Sequence, residues 1–505
     1  TGEDTLSLHD ALPISNVIDR NYEKIRQTLK TNFYQHRARK EQEKQLEKFE
    51  SSIVEVYLKD SLNSIKLIKS YQLSTELLKT KAIIKLSEKN KNVIFFGPFS
   101  AGKSSAIGRL MSDLGLIDEK LFQNYTIAYH SYFKGKKSLP YEWISNMAAD
   151  ERSKGKTMYT HTSHIETENS HITIYDSPGA HKLFLNSISS MSLVNHYFLF
   201  LEANMTKIDI ERQFVELNLA YAYLYGCVQL YIVVTKSELC ENLNTVIDMI
   251  NNEISGMLSK NKISMKITYI PISAHTGYNM IKREHNDYPS LLEALDSLSQ
   301  VEKTVDTKNK VLVLNTINDK FDNKIIYGYV CGKVKLNNSF IAYPSLKEGK
   351  ITGLAFNYNT INEAQDGQMI TIKLSDTAES LSVRRGTILH LNDTLPKIDK
   401  KDNQARCTEL NVEVTYIGKN KLKIGSLVNL GFGFFHEPFE IRKIMSLDGD
   451  ELDELPRNAK SELILVPITR RTYIENISDA KKVYIRGDQL KLIAIGRMKA
   501  IKYNY

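Results

Sequence analysis

Residues 97–104 read GPFSAGKS, a glycine-rich pattern whose spacing suits the binding of phosphate groups. This segment follows the apolar run NVIFF and opens the helix-like stretch SSAIGRLMSDL. In such a loop the backbone amides at the helix start point at phosphate oxygens. Lys103 would neutralise charge on the β- and γ-phosphates, and the Ser104 hydroxyl would coordinate Mg²⁺. We assign nucleotide contacts here to Gly97, Ser100, Ala101, Gly102, Lys103, Ser104 and Ser105.

A second element with suitable chemistry is DSPG at residues 176–179, which ends the apolar segment HITIYD. A carboxylate at the end of a strand, here Asp176, can hold a metal ion through water. The backbone N–H of Gly179 can sense a γ-phosphate. Together with the phosphate loop, this element favours a GTPase over an ATPase or a kinase.

A third element would read the base. GTPases commonly bind guanine with NKxD, and this chain has TKSE at residues 235–238. The carboxylate of Glu238 can accept from the guanine ring, and Lys236 can pack over the base plane, whereas Thr235 lacks the amide. The next apolar segment ends in Ser273 and Ala274, a dipeptide that suits backbone contact with the guanine oxygen. We therefore expect a preference for guanine that is less strict than usual.

Five short apolar segments, separated by helix-like segments, would position these groups. They are NVIFF (92–96), HITIYD (171–176), YFLFLEA (197–203), VQLYIVVT (228–235) and KITYIPI (266–272). Fully apolar strands that alternate with helices indicate a mostly parallel sheet with helices on both faces. In such α/β folds the ligand lies at the carboxyl ends of the strands.

The rest of the chain has a different character. Residues 309–396 and 404–505 contain many short strands rich in Val, Ile, Thr and Tyr, which predicts two β-barrel domains after an α/β domain at 91–302. Residues 16–90 are charged and rich in helix formers, so we expect a helical N-terminal extension. We interpret residues 1–15 as a translated sequencing adapter fused to a fragment whose true start is missing.

Bulk composition excludes several classes of protein. The chain has 505 residues, of which 42% are hydrophobic and 25% charged, as in an ordinary globular protein. No apolar run approaches the ~18–20 residues that cross a bilayer. The four cysteines have neither CxxC nor His-paired spacing, which argues against a disulfide framework or a zinc site and favours the cytosol. The net charge of +8 is mild and does not identify a partner.

Several segments resemble elongation factor 1-alpha and its relatives among the translational GTPases. YEWISNMAADERSKGKT (141–157) is similar, without a gap, to the switch segment of that family, and PISAHTGYNMI (271–281) is similar to the segment after the sixth strand. DSPGAHKLFLNSISSMSLVN also follows these relatives, and a weaker similarity continues to LIAIGRMKAI (492–501). The resemblance implies a P-loop G domain followed by two β-barrels, GTP or GDP with Mg²⁺ as ligands, and a role on the ribosome.

The resemblance also assigns the metal site. Thr157 would be the switch threonine that completes the Mg²⁺ shell in the GTP state. The ligands would then be Ser104, Thr157 and Asp176, the last through water.

Three branches of the family remain open. GKT with Lys156 resembles eukaryotic release factor 3, because tRNA carriers and ribosome-rescue factors usually have Ile or Val at that position. The N-terminal extension points the same way. We expect a release-factor-3-like role, with a GTP-dependent aminoacyl-tRNA carrier or a rescue GTPase as alternatives.

The catalytic residues depart from the family pattern. The hydrolytic histidine of the family directly follows DxPG, but this chain has Ala180 there and a histidine one place later, His181. His181 is a weak catalytic candidate beside Thr157, since an exposed loop histidine is the better explanation of it. Ser100 also replaces the acidic residue of the family's phosphate loop. We expect nucleotide binding to persist while hydrolysis is slow or absent.

Two other classes compete with a translation factor. GPFSAGKSS resembles the phosphate loop of dynamin-like GTPases, but the β-rich region 311–505 does not fit their helical stalks. The other is a scaffold that binds nucleotide without hydrolysing it. We predict a cytoplasmic monomer that binds the ribosome and either a protein release factor or tRNA, with no membrane contact.

Overall fold

The computed structural model describes most of the chain from Asn90 onwards. The described residues are 90–133, 140–146, 149–158, 160–167, 170–260, 263–299, 309–318, 324–356, 359–375, 382–391, 406–418, 422–433, 435–468, 474, 482–486 and 492–504. The proposed artefact at 1–15 and all but the last residue of the proposed extension at 16–90 lie outside them. The chain forms two compact units, one of residues 1–79 and 148–154 and the other of residues 80–147 and 155–505. The first contributes only the helix Ala149–Lys154 to the description below.

A six-stranded sheet forms the core of the α/β domain. Its strands are Asn90–Phe96 (β1), His161–Glu166 (β2), His171–Asp176 (β3), His196–Glu202 (β4), Gln229–Thr235 (β5) and Lys266–Pro271 (β6). The spatial order is β2-β3-β1-β4-β5-β6, and every pairing is parallel except that of β2 with β3. The five strands predicted from apolar runs are therefore confirmed. The sixth, β2, was not among them because HTSHIE carries polar side chains along an edge position.

Helices cover both faces of this sheet. They are Lys103–Asp113 (α1), Glu119–Tyr132 (α2), Glu142–Ser145 (α3), Phe184–Met191 (α5), Met205–Ile210 (α6), Arg212–Leu224 (α7), Leu243–Lys260 (α8) and Leu291–Asp296 (α9), while Ala149–Lys154 (α4) belongs to the other compact unit. The start of α9 is fixed by a capping box between Ser290 and Glu293, and that of α6 by the Asn204 side chain. Among the described residues no helix is long and apolar enough to span a membrane.

The strand β1 shows why its sequence is apolar throughout. Val93 and Phe95 belong to one hydrophobic cluster, and Ile94 and Phe96 belong to another. Successive side chains of a strand point to opposite faces, and here both faces are covered. All four side chains are fully buried.

Six strands of the second domain form a closed ring, and three short strands lie outside it. The strands of this domain are Lys310–Asn318 (β7), Lys324–Cys331 (β8), Val334–Lys335 (β9), Ser339–Tyr343 (β10), Lys347–Phe356 (β11), Asn359–Thr360 (β12), Glu363–Ala364 (β13), Met369–Leu374 (β14) and Ile388–Leu391 (β15). The ring runs β10-β15-β7-β8-β14-β11 and closes because β11 also pairs with β10. Alternate side chains fill its interior, as the burial pattern of β14 shows.

The third domain is also a closed barrel. Its strands are Arg406–Tyr416 (β16), Leu427–Phe432 (β17), Phe435–Ser446 (β18), Lys460–Pro467 (β19), Lys482–Arg486 (β20) and Leu492–Asn504 (β21). The order around the barrel is β16-β19-β18-β17-β20-β21. Alternate residues of β16, among them Leu410, Val412 and Val414, are buried inside it. The predicted architecture of one α/β domain and two β-barrels is confirmed.

Candidate nucleotide-binding site

The phosphate loop lies between β1 and α1 and has the backbone that its glycines predict. Gly97, Ser100 and Gly102 have φ values of 129°, 63° and 83°. A Cβ at position 97 would lie 2.5 Å from the Phe200 carbonyl oxygen of β4, so the loop needs glycine there. Gly102 directly precedes α1, whose first residue is Lys103. The free amides of this helix start can therefore face an anion.

Lys103 lies inside the loop rather than on the surface. Its side chain is 5% exposed in total, and Nζ donates to the carbonyl oxygens of Gly97 and Pro98 at 3.0 and 2.8 Å. Desolvation lowers the pKa of Lys103 to about 8, and the nearby carboxylate of Asp176 opposes this shift. A buried ammonium group of this kind is suited to an anionic phosphate ligand.

Asp176, Ser104 and Thr157 meet beside the loop. The Ser104 and Thr157 hydroxyl oxygens lie 3.0 Å apart. Asp176 ends β3 and is fully buried, and burial raises its carboxyl pKa although hydrogen bonds and Lys103 oppose the shift. Asp176 Oδ1 has no hydrogen-bond partner among the residues that the structure describes.

These oxygens fit the binding of Mg²⁺. The cation prefers oxygen ligands, commonly one or two protein groups together with phosphate oxygens and water. An unpaired, buried carboxylate oxygen next to two hydroxyl groups supplies such donors. The described residues contain no cluster of three or more His, Cys, Asp or Glu side chains that could hold a metal. Any Mg²⁺ at this place would therefore depend on the hydroxyl groups and the phosphates together with the single carboxylate of Asp176.

Two neighbouring residues, which the sequence did not single out, hold these groups in place. Ser145 Oγ donates to Asp176 Oδ2 at 3.0 Å, and Thr157 Oγ1 donates to Asn146 Oδ1 at 3.1 Å. Ser145 is the last residue of α3, and Asn146 follows it. Both lie within the segment 141–157 that carries the family resemblance. Their polar side chains directly after the apolar Ile144, within that segment, were a signal for a positioning role.

Gly179 faces the phosphate loop directly. A Cβ at this position would lie 2.6 Å from Lys103 Nζ and 2.7 Å from the Phe99 backbone nitrogen. Only glycine permits so close an approach, and the structure thus brings the predicted DSPG element and the phosphate loop together.

His181 is engaged with a different part of the domain. Its Nε2 lies 3.0 Å from Glu211 Oε2, and its ring stacks on Phe214 of α7 with the centroids 4.1 Å apart. The His181 side chain is 62% exposed. These contacts hold the ring on α7, while Ala180 occupies the position next to Gly179.

The base-reading segment is joined to the phosphate loop through Thr235. The Thr235 hydroxyl donates to the Ala101 carbonyl oxygen at 2.9 Å and also approaches that of Leu201 at 3.3 Å. Lys236 has a φ of 59°, and its ammonium donates to Glu202 Oε2 at 2.7 Å. Glu238 is exposed within the 3₁₀ turn Ser237–Leu239. Glu202 at the end of β4 was not identified from the sequence, since an acidic residue at a strand end has no specific pattern.

Ser273 and Ala274 follow β6 on the same side of the sheet. Ser273 is fully buried, and its hydroxyl accepts from the Thr276 amide at 3.1 Å. The Ala274 carbonyl oxygen accepts from Arg109 Nη1 of α1 at 3.3 Å. In the first turn of α1, Ser105 Oγ donates to Glu142 Oε2 of α3 at 3.4 Å. Apart from Thr157, which precedes β2, the predicted binding residues thus lie at or shortly after the carboxyl ends of β1, β3, β5 and β6.

Comparisons with known proteins agree with this geometry. Residues 88–301 match the elongation factor Tu GTP binding domain. Elongation factor 1-alpha of Pyrobaculum islandicum is 26% identical over 323 residues, which cover 62% of this chain and 72% of that protein. Elongation factor 1-alpha of Methanocaldococcus jannaschii is 24% identical over 316 residues, covering 61% and 72% respectively.

Two solved structures share the fold. The GTP-bound Ski7 GTPase-like domain of S. cerevisiae has a TM-score of 0.68 at 17% identity, covering 83% of this chain and 99% of that one. The elongation factor SelB of Methanococcus maripaludis has a TM-score of 0.57 at 16% identity, covering 82% and 80%. Residues 88–301 are thus similar to the GTP-binding domain of elongation factor Tu, the wider chain is similar to elongation factor 1-alpha, and its fold is similar to that of the two solved structures.

Proposed function

We propose that this chain is a GTP-binding translation factor that acts in the cytoplasm on the ribosome. The observation that carries the proposal is the cluster of Lys103, Ser104, Thr157 and Asp176 at the phosphate loop, with the unpaired Asp176 oxygen among them. Mg²⁺, when bound, supplies neutralisation of phosphate charge. Ser104, Thr157 and Asp176 would hold it, Asp176 through water.

The remaining site residues would bind the nucleotide. Lys103 and the amides of the loop hold the β- and γ-phosphates, and Gly179 senses the γ-phosphate through its backbone N–H. Guanine is held at the base-reading segment by a carboxylate, a packed lysine chain and backbone contacts. The residues in these roles are Gly97, Ser100, Ala101, Gly102, Ser105, Thr235, Lys236, Glu238, Ser273 and Ala274.

Hydrolysis is expected to be slow. The position next to Gly179 is Ala180, which has no group to polarise a water molecule. His181 is paired with Glu211 and stacked on Phe214, and using it would require breaking both contacts. We therefore infer that the protein binds the nucleotide but hydrolyses GTP slowly. A scaffold that binds nucleotide without hydrolysing it remains the alternative.

The partner is proposed from the resemblance in the switch segment. Lys156 in GKT favours a release-factor-3-like role in termination, with a protein release factor as partner. The relatives named elongation factor 1-alpha support the alternative of an aminoacyl-tRNA carrier, whereas the likeness to the SelB and Ski7 structures concerns the fold alone. We propose that the chain acts as a monomer.

Equilibrium binding of labelled GTP and GDP with Mg²⁺ tests the nucleotide site. We expect competition by unlabelled GTP and not by ATP, and a loss of about a hundredfold in affinity for Lys103→Ala, because a buried charge partner of the phosphates is removed. Lys266→Ala is the matched control, since this exposed lysine lies at the amino end of β6, away from the carboxyl ends of the strands where the site residues lie. Stronger binding of ATP than of GTP would refute the proposal.

Two further experiments test the rate of GTP hydrolysis and the identity of the binding partner. With purified ribosomes, GTP hydrolysis by the chain should remain close to its rate without ribosomes. Brisk hydrolysis that Ala180 and His181 substitutions leave unchanged would contradict the role assigned to this position.

Affinity capture with the GTP- and GDP-loaded chain, scored for tRNA against release factor, decides between termination and elongation.

A further inference from the structure

Lys156 places a positive charge over the phosphate loop. Its Nζ lies 5.3 Å from the centroid of the Phe99 ring, a cation–π contact between the switch segment and the loop. Phe99 is 41% exposed, and Lys156 is exposed as well. A cation–π contact at such an exposed position is weak, so the lysine can leave the ring at little cost.

The space beside Phe99 is where the terminal phosphate of a triphosphate would lie. Gly179 approaches both the Phe99 backbone and Lys103 Nζ so closely that a Cβ would meet them at 2.7 and 2.6 Å. The residue after Lys156 is Thr157, whose hydroxyl lies 3.0 Å from that of Ser104. Lys156 is thus tethered next to the Mg²⁺-binding groups while its side chain reaches the Phe99 side of the loop.

Other cations near the loop already have partners. Lys103 donates to two carbonyl groups inside the loop. Lys207 and Lys236 both donate to Glu202. Lys156, by contrast, contacts an aromatic ring, which leaves its charge without an anionic partner in the contacts described for it.

We propose that Lys156 is a specificity-determining residue that makes this site prefer a nucleoside triphosphate to a diphosphate. In the triphosphate complex its ammonium group leaves the Phe99 ring and pairs with the γ-phosphate. A diphosphate offers no charge at that place, and Lys156 then stays on the ring. This inference rests on the proposed function, because it concerns the same nucleotide site.

Equilibrium binding of GDP and of a non-hydrolysable GTP analogue to the full chain, with Mg²⁺, tests the proposal. Lys156→Met keeps the length of the side chain and removes its charge. We expect it to weaken binding of the GTP analogue about tenfold, the effect of one charge pair at a partly exposed site, and to change GDP binding less than about twofold. Lys156→Arg keeps the charge and should bind both nucleotides nearly as the wild type does.

Lys182→Met is the matched control, since Lys182 is another exposed lysine and lies in the turn that follows the DSPG element. It should leave the ratio of the two affinities unchanged. Equal weakening of both nucleotides by Lys156→Met, no weakening of either, or the same loss of selectivity in Lys182→Met would each overturn the proposal. If the wild-type chain binds neither nucleotide, the proposed function itself fails, which is a distinct result.

Discussion

Thr235 shows how one substituted residue keeps part of a site's geometry. Its hydroxyl donates to the Ala101 carbonyl oxygen of the phosphate loop at 2.9 Å, and the residue is buried at the end of β5. The sequence predicted that this position would weaken the reading of guanine. The structure adds a second role, because the bond joins the predicted base-reading segment to the loop that is proposed to hold the phosphates.

Thr235→Val should weaken the binding of GTP and GDP alike. The change keeps the shape of the side chain but removes one buried hydrogen bond, worth about 1 kcal/mol or roughly a fivefold change in affinity. Calorimetric titration with each nucleotide measures the effect. Thr235→Ser keeps the hydroxyl and should bind nearly as the wild type does, whereas a loss confined to GTP would contradict this role.

At the scale of the element, the antiparallel strands β2 and β3 each carry one histidine of a stacked pair. His164 and His171 have ring centroids 5.7 Å apart, and Phe356 of β11 packs on the His164 ring at 4.6 Å. His164 Nδ1 lies 3.2 Å from Thr173 Oγ1. Burial, together with the neighbouring His171, lowers the pKa of His164 to about 4. Burial also lowers the pKa of His171, although Glu166 opposes that shift.

Acidification should therefore destabilise this element. The folded-state pKa of His164 lies below the unfolded value of about 6.5, so between these pH values the unfolded chain binds more protons. The contribution of neutral His164 to the free energy of unfolding is complete above about pH 6.5. It decreases by up to about 3 kcal/mol as the pH falls towards 4. Thermal unfolding midpoints across this range measure the loss.

His164→Gln should flatten the acid side of that stability profile, because the neutral side chain no longer takes up a proton on unfolding. His275→Gln is the control, since His275 is exposed. An unchanged acid slope in His164→Gln would show that other groups, such as His196 with its similarly lowered pKa, carry the dependence.

At the scale of the whole molecule, each barrel makes specific contacts with the α/β domain. The Arg385 guanidinium of the second domain, which is the first of the two barrels, donates to Asn186 Oδ1 and Ser189 Oγ of α5 at 2.6 and 2.7 Å. Asn186 in turn donates to the Met158 carbonyl oxygen at 3.0 Å, next to the switch threonine. This chain of contacts links the switch segment to a domain about two hundred residues further along the sequence.

The second barrel is joined through tyrosines. The Tyr225 hydroxyl donates to the Gly433 carbonyl oxygen at 2.8 Å and lies 2.9 Å from the Tyr484 hydroxyl. Tyr484 lies 2.8 Å from His436 Nδ1, and burial keeps the pKa of this histidine well below its usual value. A neutral His436 fits its place among buried tyrosines.

Arg385→Ala should loosen the contact between the first barrel and α5. We expect amide hydrogen exchange in peptides covering residues 184–191 to become about fivefold faster, since about 1 kcal/mol of hydrogen bonding is lost at an exposed position. GTP affinity should change less than about twofold, because Arg385 has no role in the nucleotide site. Arg384→Ala, at the neighbouring exposed arginine, should leave exchange unchanged. Equal protection in both variants would exclude Arg385 as a link between the domains.

The amino-acid sequence alone determined the elements that depend on local pattern. The glycines at 97, 102 and 179 lie where a Cβ would clash or where φ is positive. The local sequence motifs identify these three positions without knowledge of the tertiary contacts. The five parallel strands followed from continuous apolar runs, because a strand buried on both faces tolerates little else. The two barrels followed from the many short segments rich in Val, Ile, Thr and Tyr in residues 309–505, since such enrichment is also local.

Only the tertiary structure decided which distant groups meet. Ser145 contacts Asp176 across 31 residues, Glu202 holds Lys236 across 34, and Arg385 reaches Asn186 across 199. His181 has the same local sequence whether its ring faces the phosphate loop or Glu211, so its orientation was not predictable. Hydrogen bonds and ion pairs act over a few ångströms in space, and they leave no periodic signal along the chain. The local pattern therefore predicted the candidate site, and the folding of the chain determined the partners of each side chain.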